Sequence, residues 1–318
     1  MQYAGDGSLR KCLPNLVEFD WSNKLDSLYN ILVGLDTIHE LDLVHSDLHD
    51  GNILICDWNT VMISDLGLCN PMEYYKSFMK DKVYGVLPFV ASEVLEGKPY
   101  TWASDIYSFS MIMWEFTSGI PPFDDVPHDL NLCLNVCRGE RPEIIEDTPQ
   151  CYVDLMKKCW DENPSKRPDA SEIMEIVHNW QVHIDLYYKK DRPMDINTLN
   201  EENLYEFIEE NIDEIIDKID DNQLKDVIKE FWKADKALLQ RRANISTSLE
   251  NNHLNPIKKS HQQAYKVSRL LDFTKDINNI LERERKNKQK IESYELEILQ
   301  DFGMYYFFSL NIIQFYGF

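Results

Sequence analysis

The chain has no C-x-x-C pair, no long apolar run and too little positive charge to balance its negative. Its seven cysteines among 318 residues are odd in number and scattered, which excludes a disulfide framework and a cysteine-built zinc site. Cys133 and Cys137, at helical spacing, read as two buried thiols. No stretch reaches the roughly 18 apolar residues of a membrane-spanning helix. Met1 to Leu13 is polar and glycine-containing where a secretory leader needs an apolar core, so the expected location is cytoplasmic, or at least intracellular with the nucleus left open. With 33 Lys+Arg against 55 Asp+Glu the net charge is −22, and the basic footprint of a nucleic-acid binder is missing. No internal repeat is visible. What is present is a composition 43% hydrophobic and 12% aromatic, enough to bury a real core.

The chain divides by charge. Residues 1–180 hold 30 acidic and 13 basic side chains, whereas 181–318 hold 25 and 20. Six of the seven tryptophans and eleven of the thirteen prolines fall in the first part, which reads as a loop-rich globular domain. The second reads as charged helices with few packing anchors. The expected division is residues 1–182, then a largely helical, acidic tail over 183–318 with a polar linker near 244–260.

Leu25, Leu28, Ile31, Leu32, Leu35, Ile38 and Leu41 recur at spacings of three and four, which predicts a long amphipathic helix. Asn52 to Cys56 and Val61 to Ser64, parted by the turn-prone Asp57-Trp58-Asn59, predict a hairpin. Asp105 to Gly119 is almost wholly apolar and predicts a helix buried on all sides, stopped by Gly119 and Pro121-Pro122. Tyr152 to Trp160 and Ala170 to Trp180 read as further helices. In the tail, one stripe runs from Leu204 to Ile219 and another from Leu224 to Phe231. The aromatic end, Phe302 to Phe318, reads as a docked or frayed terminal segment. Arg283 to Lys290 is a basic patch on a helix.

Chemistry concentrates in His45-Ser46-Asp47-Leu48-His49-Asp50-Gly51-Asn52, followed thirteen residues later by Asp65-Leu66-Gly67. Two carboxylates and an amide at fixed offsets, on loops flanking a short hairpin, suit phosphoryl transfer. One carboxylate orients a hydroxyl and accepts its proton, and oxygen ligands hold magnesium on the phosphates. A single Asp in a turn would need no such reading, because Asp and Asn bond their own backbone there.

This constellation resembles the C-terminal lobe of a eukaryotic protein kinase, most like the tyrosine-kinase-like serine/threonine group. His45, Asp47 and Asn52 match H-R-D-x-x-x-x-N, and Asp65, Leu66 and Gly67 match D-F-G. The resemblance implies Asp47 as catalytic base, Asn52 and Asp65 as magnesium ligands, and His45 and Leu66 in a hydrophobic spine. Ala91-Ser92-Glu93 matches A-P-E, with Arg167 as the late arginine that pairs with Glu93. Asp105 matches the buried aspartate that anchors the catalytic loop. Met1 to Leu9 resembles the hinge, so Met1 and Tyr3 would line the adenine and Leu54 would lie beneath it. The implied fold is mainly α (α+β). The implied activity is ATP-dependent, magnesium-requiring phosphorylation of protein serine or threonine, with tyrosine left open, and the implied partner is a protein substrate.

Several positions depart from the pattern. No G-x-G-x-x-G-x-V precedes the catalytic loop and no strand lysine is present, so the resemblance implies that the chain by itself is very slow. The alternative is a non-catalytic docking or scaffold module that competes with a partner kinase. Ser46 replaces the arginine that reads an activation-loop phosphate. His49 replaces lysine, and Val86 stands where threonine would face the catalytic Asp.

Overall fold

A computed structural model describes residues 4–57, 60–78, 82–190, 221–249 and 260–293. Compactness divides the chain into two units, Met1–Asp272 and Phe273–Phe318. The architecture is mainly α with small antiparallel sheets.

Helix α1 (Leu9–Leu16) follows strand β1 (Gly7–Ser8) directly and buries Leu9, Cys12, Leu13 and Leu16. Helix α2 (Trp21–Glu40) starts where the Asp20 carboxylate accepts the Asn23 amide at 2.9 Å. The predicted stripe from Leu25 to Ile38 is buried along it, against the long helix α8 (Ala170–Lys190) and strand β4 (Thr60–Ile63). Leu41, the last member of the expected stripe, falls outside the helix and is 67% exposed, because Asp42 turns the chain at φ 61°.

Strands β3 (Ile53–Asp57) and β4 form the expected hairpin, and β1 extends it on the β3 side. Strand β2 (Leu43–Val44) pairs with β5 (Asn70–Pro71), which closes the ends of the segment carrying the candidate residues. The segment continues through helix α3 (Met72–Phe78), strand β6 (Val83–Gly85) and the short helix α4 (Ser92–Leu95).

Helix α5 (Trp102–Ser118) is the centre of the core, with every residue from Ser104 to Phe116 buried. Thr101 and Ser104 exchange hydrogen bonds in a capping box at its start. Gly119 ends it at φ +68°, and a β-carbon there would meet Val17 Cγ1 at 2.5 Å, so α1 can close against this end only over glycine. Helices α6 (Leu130–Cys137) and α7 (Gln150–Cys159) complete this part. Cys133 is buried and Cys137 half-buried; burial pushes both thiols up to about 12.

Helix α9 (Asn222–Leu249) corrects two readings of the tail. It is well anchored, because Phe231 is buried between Trp21 and Trp180, with ring centroids at 5.3 and 5.4 Å. Its carboxylates also occupy helix N-termini: Asp235 accepts the Trp21 amide at 2.9 Å and Glu230 the Cys151 amide at 2.7 Å. It runs on through Asn244 to Leu249, so the polar stretch expected as a linker begins as helix. The expected boundary after residue 182 lies inside α8. Strand β7 (Arg269–Leu271) pairs with β6, a connection no periodicity announced. In the second unit a helix covers 274–293 and carries Arg283 to Lys290, with Lys286 pairing Glu282 at 3.6 Å. The stripe Leu204 to Ile219, the end of the linker (250–259) and the aromatic stretch Phe302 to Phe318 lie outside the described residues.

Candidate active site

Asp105, in the first turn of α5, organises the loop that carries the candidate residues. Its buried carboxylate accepts the backbone N–H of His45 at 2.8 Å and of Ser46 at 2.9 Å, and faces His39 Nε2 at 3.0 Å. These bonds fix Ser46 at φ +64°, a left-handed conformation that costs a non-glycine residue about 1–2 kcal/mol. The turn delivers Asp47 into the site. His45 is fully buried; it donates from Nε2 to the Ser64 carbonyl at 3.1 Å and accepts the Asp47 amide on Nδ1 at 3.3 Å.

Asn52 stands five residues on, where its amide nitrogen donates to the Asp47 carbonyl at 2.8 Å. That bond fixes the Asn52 side chain and leaves its oxygen as the group able to face a cation. Asp65 closes the β4 end of the site in a left-handed conformation (φ 57°), with one carboxylate oxygen on the Gly67 amide at 3.4 Å. Ser64 joins the two loops through its amide and hydroxyl, both on the Asn52 carbonyl at 2.8 and 2.9 Å.

The Asp47 carboxylate is buried, yet its Oδ1 has no hydrogen-bond partner. His49 Nε2 stands 3.8 Å from it, beyond hydrogen-bonding reach. The His49 ring holds Nδ1 3.0 Å from the Gly51 amide and turns Nε2 to the Asp47 side. A buried carboxylate oxygen without a donor is costly and marks a place built for an incoming one.

Beneath this loop lies a charged cluster that the sequence did not signal. Arg10 grips the Asp50 carboxylate with Nε at 2.9 Å and a second nitrogen, and reaches His49 Nδ1 at 3.2 Å. Burial would raise the Asp50 carboxyl, but His49 and the Arg10 guanidinium outweigh it and hold it below the ordinary carboxylate range. Glu115 of α5 is fully buried with neither oxygen hydrogen-bonded. Burial, then the neighbouring Asp50 charge, push it well above that range, so it is protonated where Asp50 is ionised.

The segment from Asp65 to Glu93 is pinned at three places. Tyr75 is buried, and its hydroxyl stands within hydrogen-bonding reach of the Ser46 hydroxyl, at 2.7 Å, and of the Leu68 carbonyl. At the position where the resemblance placed a missing arginine, Ser46 therefore holds a phenol. Gly85 passes so close that a β-carbon would meet Val90 Cγ2 at 2.7 Å and lie 3.7 Å from Asp47 Oδ1, at φ +151°. Glu93 closes the segment with a buried two-pronged pair to Arg167, at 2.7 and 2.9 Å. Arg167 also donates to the carbonyls of Ala103 at 2.8 Å and Asp161 at 2.9 Å.

His45, Asp47, Asn52 and Asp105 thus sit on one connected network, and the pair Glu93–Arg167 closes the neighbouring segment. Gly67 lies on the exposed turn after Asp65, and Leu66 is 55% exposed, so the implied spine is not closed over Leu66 beside the buried His45. Leu54 is half-buried in β3, opposite Ser8 and Met62. Met1 and Tyr3 lie outside the described residues. Among the described residues no three His, Cys, Asp or Glu side chains gather into a metal cage. One amide oxygen and one carboxylate fit magnesium held partly by phosphates, the usual arrangement for that ion. No described helix is long and apolar enough to cross a membrane.

The profile of the protein tyrosine and serine/threonine kinase family matches residues 1–177, and the chain belongs to that family. Its relatives include protein R831 of Acanthamoeba polyphaga mimivirus, named as a serine/threonine-protein kinase/receptor, 32% identical over 55% of this chain and 11% of its own length. The serine/threonine/tyrosine-protein kinase HT1 of Arabidopsis thaliana is 30% identical over 56% of this chain and 46% of its own length. Receptor-interacting serine/threonine-protein kinase 4 of Mus musculus is 30% identical over 54% of this chain and 23% of its own length. The chain spans less than half the length of each of these relatives.

Proposed function

We propose that this chain carries the C-terminal lobe, residues 1–182, of a kinase of the tyrosine-kinase-like group, followed by a helical tail. The reaction is ATP-dependent phosphorylation of serine or threonine hydroxyls in proteins. The observation that carries this reading is Asp47 Oδ1, buried without a donor in the loop that Asp105 holds. Asp47 orients the incoming hydroxyl and takes its proton. Asn52 and Asp65 are the side chains that would hold magnesium, which when bound neutralises phosphate charge. Leu54 supplies apolar surface under the adenine; Met1 and Tyr3 are proposed to line it. Asp105, His45 and the pair Glu93–Arg167 position these groups, and the expected setting is cytoplasmic.

The test is transfer of labelled γ-phosphate from ATP to a serine peptide by the full chain and by Asp47→Asn. General-base removal is expected to slow transfer about 100-fold or more, and equal rates would overturn the role. A second reading, a non-catalytic docking module, is favoured by the exposure of Leu66, which leaves the expected apolar stack open on one side. Peptide binding without any transfer by the unaltered chain would select it.

A further inference from the structure

The strand paired with the activation segment comes from 184 residues further along the chain, with Gly85 opposite Arg269, Tyr84 opposite Leu270 and Val83 opposite Leu271. The residues leading into it are held at successive points. Ser260 Oγ donates to Asp124 Oδ1 at 2.8 Å, and the His261 amide donates to the Asp124 carbonyl at 2.7 Å. The His128 amide donates to the Gln263 carbonyl at 3.0 Å, and the His128 ring contacts the Tyr265 carbonyl at 3.1 Å. Lys266 pairs with Asp124 at 2.9 Å, and Arg269 donates to the His128 carbonyl at 2.8 Å while stacking on Tyr265.

Two of these anchors flank the catalytic loop. The Lys266 carbonyl accepts a hydrogen bond from Arg10, the same guanidinium that holds Asp50 and reaches His49. Arg269 lies opposite Gly85, whose β-position is 3.7 Å from Asp47 Oδ1. In the sequence Ser268 stands between Lys266, whose carbonyl meets the Arg10 fork, and Arg269, which pairs with Gly85. The segment 260–271 has Lys266 and Arg269 and no carboxylate, and it lies on a region where residues 1–180 hold 30 acidic and 13 basic side chains.

We propose that residues 260–271 occupy this chain's own polypeptide-acceptor groove, with Ser268 at the acceptor position beside Asp47. The groove accordingly takes extended peptides in which a serine stands between basic residues. Main-chain pairing with β6 supplies affinity, and Asp124, the His128 carbonyl and the Asp47 carboxylate select cations and a hydroxyl. The inference rests on the reading of Asp47 as the group that receives a hydroxyl. It also names Ser268 as a modification site.

The probe is a fluorescent synthetic peptide of residues 260–271, titrated by anisotropy without nucleotide into the full chain and into Lys266→Glu/Arg269→Glu. A tethered strand competes at a millimolar effective concentration, so an occupant that binds in trans near about 100 µM masks the groove about tenfold. The peptide should bind the double variant about tenfold more tightly than the unaltered chain. Arg269→Ala, a milder change, should show a smaller gain in the same direction. The peptide phosphorylated at Ser268 should bind the double variant more weakly than its parent, because its phosphate would face the Asp47 carboxylate. Equal affinity for all three proteins, or no binding to either variant, would overturn the occupancy. A phosphopeptide that binds as well as its parent would overturn the placement of Ser268. The titration contains no ATP, so loss of nucleotide binding or of transfer in the separate tests leaves its result readable.

Discussion

Asp105→Asn isolates the bond set on which the loop from His45 to Asn52 depends. One carboxylate oxygen serves His45 N–H and His39 Nε2, and the other serves Ser46 N–H. Asparagine can keep its oxygen toward the first pair, and its NH2 then confronts the Ser46 N–H, donor against donor. One buried N–H is left unsatisfied, at about 1–3 kcal/mol, and the remaining bonds lose their charge assistance, so the total loss is about 2–4 kcal/mol. Ser46 is also released from its left-handed conformation, which displaces Asp47. Urea unfolding followed by tryptophan fluorescence reads the stability. With a slope near 2 kcal/mol/M the midpoint should fall by about 1–2 M, and Asp105→Ala, which orphans all three donors, should fall further. An unchanged midpoint for Asp105→Asn would refute the account of how this loop is held.

Three further outcomes follow from neighbouring contacts. Glu93→Ala leaves the Arg167 guanidinium buried without its counter-ion and should cost about 3–5 kcal/mol in the same urea assay; a loss under about 1 kcal/mol would contradict the pairing. Burial, and then the Asp50 charge, raise the Glu115 carboxyl well above the ordinary carboxylate range, so its contribution to stability is fully present below that range and is lost as pH rises through it toward the folded-state pKa. Glu115→Gln should therefore match the unaltered chain near pH 4 and exceed it in stability at pH 8, and an equal difference at both would contradict the assignment. Gly85→Ala forces a β-carbon onto Val90 at 2.7 Å. It should speed amide exchange in β6 and β7 while leaving α5 protected; unchanged exchange in β6 would show that the close approach is not limiting.

The parts legible in the sequence are those whose cause is local. Leu25 to Ile38 repeat every three or four residues and became α2, and Gly119 ends α5 as expected, although the helix starts at Trp102, three residues before the expected Asp105, under the Thr101 cap. Asp47, Asn52 and Asp65 were readable because they match a family pattern of residue types at fixed offsets on adjacent loops. Arg10 gave no such sign, since its partner Asp50 lies 40 residues away and a lone arginine near a chain start looks like surface. Glu115 carries no sign of its own in a stretch that reads as apolar, and only the packing of α5 makes it a buried acid beside Asp50. Strand β7 was hidden for the opposite reason. Residues 260–271 carry no alternation of their own, because main-chain bonds to β6 and charged contacts to Asp124 and His128 hold them. The Asn-rich start of the supposed linker stayed helical because α9 is fixed upstream by Phe231, Glu230 and Asp235, and a helix once nucleated extends at little cost.

The measurement that tests the central claim most directly is calorimetric titration of the full chain with ATP and magnesium, repeated with Asp65→Asn. If Asn52 and Asp65 hold magnesium on a nucleotide's phosphates, binding should require the metal and should weaken at least about tenfold when the Asp65 carboxylate becomes an amide. Binding of equal strength in both proteins, or binding indifferent to magnesium, would contradict the claim that this loop constellation is a magnesium–nucleotide site.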